Sequence, residues 1–121
     1  MSSSIAFIVY VNDAPEAARF YADLLEIEPT FQSPAYIAFG LGGGADLALW
    51  SGQTDGPTPA VPRTSEVCLM LPGGPEAIDR RFARWTGKGV RVVSEPSDEV
   101  FGRTFVVADP DGNLIRVAPV D

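Results

Sequence analysis

An internal repeat with a spacing of 60 residues constrains the fold of this chain more than any other feature. Pro15-Glu16-Ala17 recurs as Pro75-Glu76-Ala77, and the same shift places Val11 on Leu71. In each half an apolar run of strand length precedes the tripeptide, and apolar residues at helical spacing follow it. The sequence therefore predicts an α+β chain built from two tandem β-α-β-β-β modules.

The first module begins with a predicted strand at residues 5–11, IAFIVYV. A helix is expected to follow, because Asp13 can cap it, Pro15 is tolerated in its first turn, and Glu16 has the position of a capping box. Its predicted apolar stripe consists of Ala17, Phe20, Tyr21, Leu24 and Leu25. Two short strands, at residues 35–39 and 46–51, are predicted to complete the module.

The segment between the modules has the composition of a linker. Residues 53–64 contain three prolines and Gly56, which favour neither a strand nor a helix. We therefore expect module one at about residues 4–52, a linker at about 53–64, and module two at about 65–120, all within one domain spanning residues 1–121.

The second module repeats the pattern and ends in a hairpin. Glu66–Leu71 is a predicted strand, and the helix after Gly73 has a stripe of Ala77, Ile78, Phe82 and Trp85, so Trp85 is expected in the core. Residues 105–107 and 114–117 are β-formers that flank the sequence DPDGN at residues 109–113. Pro110 suits the second position of a β-turn and Gly112 can adopt positive φ.

Composition excludes several functional classes. The net charge of −7 argues against nucleic acid and anionic membranes as partners. The chain has no histidine, which removes every histidine-dependent metal site or catalytic triad. Its single cysteine, Cys68, permits no internal disulfide and suits a reducing compartment. With neither a signal peptide nor a membrane span evident in the sequence, we expect a cytoplasmic protein.

The repeated modules, the sequence VNDAPEAARFY at residues 11–21, and the sequence DPDGNLI at residues 109–115 resemble the vicinal oxygen chelate superfamily. This superfamily includes glyoxalases, extradiol dioxygenases and bleomycin-resistance proteins. The resemblance covers nearly the whole chain. It implies two modules whose curled mixed sheets enclose a cleft, and a homodimer as the expected assembly.

The resemblance also implies where metal ligands would lie. In the family's metal enzymes, they occupy the first and last strands of each module; these positions correspond here to Ala6, Ala48, Glu66 and Arg116. Only Glu66 could bind a divalent cation, whereas a working site needs about three protein ligands. We therefore expect no metal, no cofactor and no catalytic residues. An enzyme is the alternative if the metal ligands lie at positions other than these four. The carboxylates for that alternative are Asp46, Glu66, Asp98, Glu99 and Asp109.

Strand alternation predicts which side chains face the cleft. The predicted ligand-binding residues are Tyr10, Trp50, Glu66, Arg116, Ile8, Met70, Leu114 and Phe101, the last through a loop that the family often places near its ligand. Alternative interpretations are open for three of them. Trp50 either stacks on a ligand or packs in the core or a dimer interface, and Glu66 with Arg116 forms either a structural salt bridge or a polar anchor for a ligand. Cys68 is interpreted as a structural thiol, because no histidine is present to activate it.

These observations favour a metal-independent protein that binds a small molecule, sequestering an aromatic or cationic antibiotic-like compound. One alternative is a metal-dependent or metal-free lyase, isomerase or dioxygenase of the glyoxalase type. A second alternative is an accessory domain that interacts with another protein.

Overall fold

In the computed structural model, residues 5–52 and 65–120 are described. The chain divides into two compact units, Met1–Val61 and Pro62–Asp121. The predicted linker at residues 53–64 lies outside the described residues. No helix in the described ranges combines the length and the apolar character that crossing a bilayer requires.

Module one is a four-stranded mixed sheet with one helix. Its strands lie in the order β1-β4-β3-β2, with β1 parallel to β4 and the other neighbours antiparallel. The elements are β1 (Ile5–Tyr10), α1 (Ala14–Leu25), β2 (Phe31–Gln32), β3 (Tyr36–Gly42) and β4 (Ala45–Trp50).

Helix α1 begins as its sequence predicts. The Asp13 carboxylate accepts a hydrogen bond from the Glu16 amide at 2.9 Å and so caps the helix N-terminus. The helix ends at Glu26, which adopts a left-handed conformation with φ of 57°. Along its stripe Ala17, Tyr21 and Leu24 are buried. The cap and the apolar stripe together fix the position and the orientation of α1.

Module two repeats the topology of module one. Its strand order is β5-β8-β7-β6, with β5 parallel to β8 and the other neighbours antiparallel. The elements are β5 (Glu66–Leu71), α2 (Gly74–Gly87), β6 (Arg91–Glu99), β7 (Gly102–Ala108) and β8 (Leu114–Pro119). The prediction of an α+β chain with two tandem β-α-β-β-β modules is confirmed.

One face of each sheet is buried and the other is free of a helix. In module two, the ring of Phe105 on β7 contacts Phe82 and Trp85 of α2, with centroids 5.2 and 5.7 Å apart. Phe105 pairs with Val117 across the ladder, so these two side chains share the helix-covered face. In module one, the equivalent buried face includes Ile37, Phe39, Leu47 and Leu49. Residues of opposite parity therefore form a helix-free face in each module.

Two strands were not recognised in the sequence, and several strand limits differ by a few residues. Strand β2 has only two residues, too few for an alternating pattern. Strand β6 has the sequence RVVSEPSDE, in which Pro96 and four charged residues obscure the period, and its pairing with β7 shifts register twice.

Gly102 at the β6–β7 turn is required by packing within the module. It has φ of 123°, and a Cβ atom there would lie 2.7 Å from Cγ of Pro119 on β8. Its small size therefore admits the proline ring, which keeps the turn close to the end of β8.

Candidate functional site

The helix-free face of module one has a row of aromatic rings. Tyr36 on β3 lies between Phe31 and Trp50, with ring centroids 6.0 and 6.4 Å away in edge-to-face geometry. Tyr10 pairs with Trp50 across the β1–β4 ladder and is half exposed. Ile8 lies two residues before Tyr10, on the same face. We call Tyr10, Phe31, Tyr36 and Trp50 the aromatic face.

The orientation of Trp50 depends on Gly52. A Cβ atom built at Gly52 would overlap the far edge of the Trp50 indole. The ring therefore lies directly against the backbone after β4, and the absence of a side chain at Gly52 leaves it that space.

The helix-free face of module two is more polar. In the β5–β8 ladder Glu66 pairs with Leu114, Cys68 with Arg116, and Met70 with Ala118, so all six side chains point to the same face. On β7, Val106 pairs with Arg116, which places Val106 on this face too. The alternation of side chains along the two predicted strands is thus sufficient to place Glu66, Met70, Leu114 and Arg116 on the same face of the sheet.

Arg116 is the centre of a hydrogen-bonded group on that face. Its Nε donates to Oε2 of Glu66 at 2.5 Å, and its Nη1 donates to Oγ1 of Thr104 at 3.2 Å. The Thr104 hydroxyl is buried and donates in turn to the carbonyl of Val117 at 2.7 Å. About a third of the Arg116 and Glu66 side chains is exposed. The pair is therefore held by the fold and still accessible from the open face.

A cavity of about 690 Å³ opens at this group. Its lining residues are Glu66, Val93, Ser94, Ser97, Glu99, Phe101, Thr104, Val106, Leu114 and Arg116. Four of the eight predicted ligand-binding residues line it, namely Glu66, Phe101, Leu114 and Arg116. Met70 lies on the same face without lining the cavity, and Ile8, Tyr10 and Trp50 belong to the other module. This volume is within the range of pockets that bind small organic molecules.

A family model described as "Glyoxalase/Bleomycin resistance protein/Dioxygenase superfamily" matches residues 4–117. The chain belongs to this superfamily. It is also 43% identical, over 117 residues, to the phenazine antibiotic resistance protein EhpR of Enterobacter agglomerans, with 94% of this chain and 89% of EhpR covered. The predicted resemblance is confirmed.

Two solved structures extend the comparison. A protein of Agrobacterium tumefaciens with a solution NMR structure is 32% identical, with a TM-score of 0.78 and coverage of 100% of this chain and 99% of that one. TnmS3, an antibiotic binding protein from a Streptomyces species, is 26% identical, with a TM-score of 0.69 and coverage of 100% and 98%. Of these three similar proteins, EhpR is named for antibiotic resistance and TnmS3 for antibiotic binding.

The superfamily resemblance implies positions for metal ligands, and the residues that the structure describes at those positions do not provide a ligand set for a metal ion. Of the four positions implied for ligands, Ala6 and Ala48 lack a donor atom, and Arg116 is a cation that holds the only carboxylate, Glu66. Within residues 5–52 and 65–120, no three His, Cys, Asp or Glu side chains lie close enough together to bind a metal ion.

The pKa of the Cys68 thiol depends on the charges of Glu66 and Arg116. The exposed thiol is on β5 opposite Arg116. Partial burial and the charge of Glu66 raise its pKa, whereas Arg116 lowers it, and the two raising causes prevail. Since the thiolate is the reactive form, we expect Cys68 to be alkylated by iodoacetamide more slowly near neutral pH than an ordinary cysteine.

Two variants should move the pH dependence of this alkylation in opposite directions. Glu66→Gln removes a raising charge, so the midpoint of the rate against pH should fall. Arg116→Met removes the lowering charge, so the midpoint should rise. Alkylation rates measured from pH 6 to pH 10 by mass spectrometry test this, and identical profiles for the three proteins would contradict the described arrangement.

Sequence reasoning missed several residues of these faces. Phe31 was not assigned because β2 was not recognised, and Tyr36 was not assigned although it lies within the predicted strand at residues 35–39. Alternation along this strand puts Tyr36 and Ala38 on the face opposite Ile37 and Phe39. That alternation was a signal that could have assigned Tyr36 to the helix-free face. The hydroxyls of Ser94, Ser97 and Thr104 gave no signal, because single hydroxyls are common on exposed strands.

Proposed function

We propose that this protein binds a planar aromatic antibiotic-like compound without a metal ion and confers resistance by sequestering it. The aromatic face is the observation that carries the proposal. Its rings are partly exposed, on a sheet face that no helix of the module covers. Partly exposed aromatic rings provide stacking surface for a flat ligand at little cost in conformational entropy.

The relatives support the same class of ligand. EhpR is named for resistance to phenazines, which are flat tricyclic heteroaromatic compounds, and TnmS3 is named as an antibiotic binding protein. Within module two, the polar group of Arg116, Glu66 and Thr104 lies beside apolar side chains of the cavity, and a few polar groups in an apolar site orient a bound molecule. We extend the proposal to a cytoplasmic homodimer, because the sequence has one free cysteine and the family resemblance implies dimers.

Binding can be followed through Trp50. The chain has two tryptophans, so a Trp85→Phe background leaves Trp50 as the only indole. Titration with phenazine should quench its fluorescence. Trp50→Ala in the wild-type background should weaken phenazine binding, measured by calorimetry, by roughly tenfold or more, because stacking on one aromatic side chain contributes about 1–3 kcal/mol. Unchanged affinity in a folded Trp50→Ala protein would remove Trp50 from the site.

Two controls sharpen the result. Gly52→Ala keeps the indole but moves it, since the added methyl overlaps the ring, so it should weaken binding with little loss of stability. Trp50→Phe keeps an aromatic ring and should retain most of the affinity.

Binding should also be the same after treatment with EDTA and after addition of Zn²⁺. A requirement for a metal ion would contradict the proposal.

A further inference from the structure

We propose that the ligand carries a protonated amine, and that Glu99 in the cavity of module two binds it. This inference rests on the proposed function and narrows the class of ligand. It follows from the charges that line the cavity, which include two carboxylates, Glu66 and Glu99, and a single cation, Arg116.

Arg116 is already engaged by the protein. Its Nε donates to Glu66 and its Nη1 to Thr104, so the guanidinium charge is compensated within the fold. An anionic group that approached Arg116 would also approach the carboxylate of Glu66. The arrangement therefore disfavours a ligand carboxylate at this pair.

Glu99 lacks such compensation. Its Oε2 accepts a hydrogen bond from the Ser97 hydroxyl at 3.0 Å, and no Lys or Arg of the described residues forms a salt bridge with it. The neighbouring Asp98, by contrast, pairs with Arg103 at 3.2 Å. The cavity thus retains one net negative charge, at Glu99, that a ligand cation could neutralise.

The surroundings of Glu99 also suit an ammonium group. Phe101 lines the same cavity and is half exposed, so its ring face can contact a cation. The hydroxyls of Ser94 and Ser97 are acceptors for further N–H donors. Val93, Val106 and Leu114 form the apolar part of the cavity lining. Carboxylate, hydroxyls and aromatic ring together form a site for a primary or secondary amine attached to a flat ring system.

The test compares three phenazines of similar size by calorimetry: phenazine, 1-(aminomethyl)phenazine and phenazine-1-carboxylate. The aminomethyl compound should bind about tenfold more tightly than phenazine, because a charge-assisted hydrogen bond replaces solvent contacts, and the carboxylate should bind more weakly than phenazine. The advantage of the amine should shrink as the salt concentration rises.

Two matched variants locate the effect. Glu99→Gln should abolish the advantage of the amine, so that the affinity ratio of the aminomethyl compound to phenazine falls to about one in this variant. Glu95→Gln removes the same charge from an exposed position of β6 that does not line the cavity, and it should behave as wild type. An amine advantage that survives Glu99→Gln, equal weakening of all three ligands by that variant, or tightest binding of the carboxylate would overturn the inference.

The same experiment separates this inference from the proposed function. If phenazine binds but the amine has no advantage, the proposed function stands and this inference fails. If none of the three compounds binds, both fail.

Discussion

Replacing Asp109 with alanine is expected to lower the free energy of unfolding by about 3 kcal/mol, because it removes a buried carboxylate that accepts hydrogen bonds from three partly buried donors. Asp109 is buried in the β7–β8 turn. Its Oδ1 accepts from the amides of Asp111 and Asn113 at 2.9 and 2.8 Å, and its Oδ2 accepts from Nδ2 of Asn113 at 2.9 Å. The carboxylate therefore adds three hydrogen bonds to the two that the backbone makes within the turn, from the Asp109 amide to the Asn113 carbonyl and from the Gly112 amide to the Asp109 carbonyl. Urea denaturation followed by circular dichroism measures the change.

Asp109→Asn is the matched control. Its amide oxygen can still accept from the two backbone amides, but its NH₂ group faces the Asn113 side chain, so we expect a smaller loss, about 1 kcal/mol. Pro110→Ala should also cost little, since proline donates no hydrogen bond in the turn. Equal stabilities for Asp109→Ala and Pro110→Ala would contradict the role given to the carboxylate.

The same turn shows what the sequence could and could not predict. The position of Pro110 and the positive φ of Gly112, which is 88°, followed from residue type alone. The burial of Asp109 did not, because the residues that cover a turn come from elsewhere in the module. The sequence therefore left Asp109 among the candidate carboxylates for the enzyme alternative. In the structure its two carboxylate oxygens accept hydrogen bonds within the turn.

Sheet faces were predictable wherever a strand was recognised. Alternation along β5 and β8 placed Glu66 and Arg116 on one face, and the structure joins them in a salt bridge. Whether the pair also binds a ligand stays a prediction. The cavity wall formed by β6 could not be predicted, since Pro96 and two register shifts break the alternation that would have placed Ser94, Ser97 and Glu99.

Replacing Trp85 with alanine is expected to be the most destabilising change in module two, with a loss of about 4 kcal/mol. The indole is fully buried, contacts Phe105 at 5.7 Å between ring centroids, and lies under the guanidinium of Arg81 at 5.8 Å. It attaches α2 to β7, whose opposite face carries Thr104 and Val106 of the cavity.

The contrast between Trp85 and Trp50 tests the division of the molecule into core and binding faces. Trp85→Phe should cost only about 1 kcal/mol, because phenylalanine keeps a ring against Phe105 and removes a buried Nε1 that has no acceptor among the described residues. Trp50→Ala should cost less stability than Trp85→Ala but more affinity, since Trp50 is partly exposed at the end of β4. Thermal denaturation and calorimetry on the same three variants measure both quantities. Equal losses of stability and affinity at the two tryptophans would contradict the assignment of Trp50 to the ligand and Trp85 to the core.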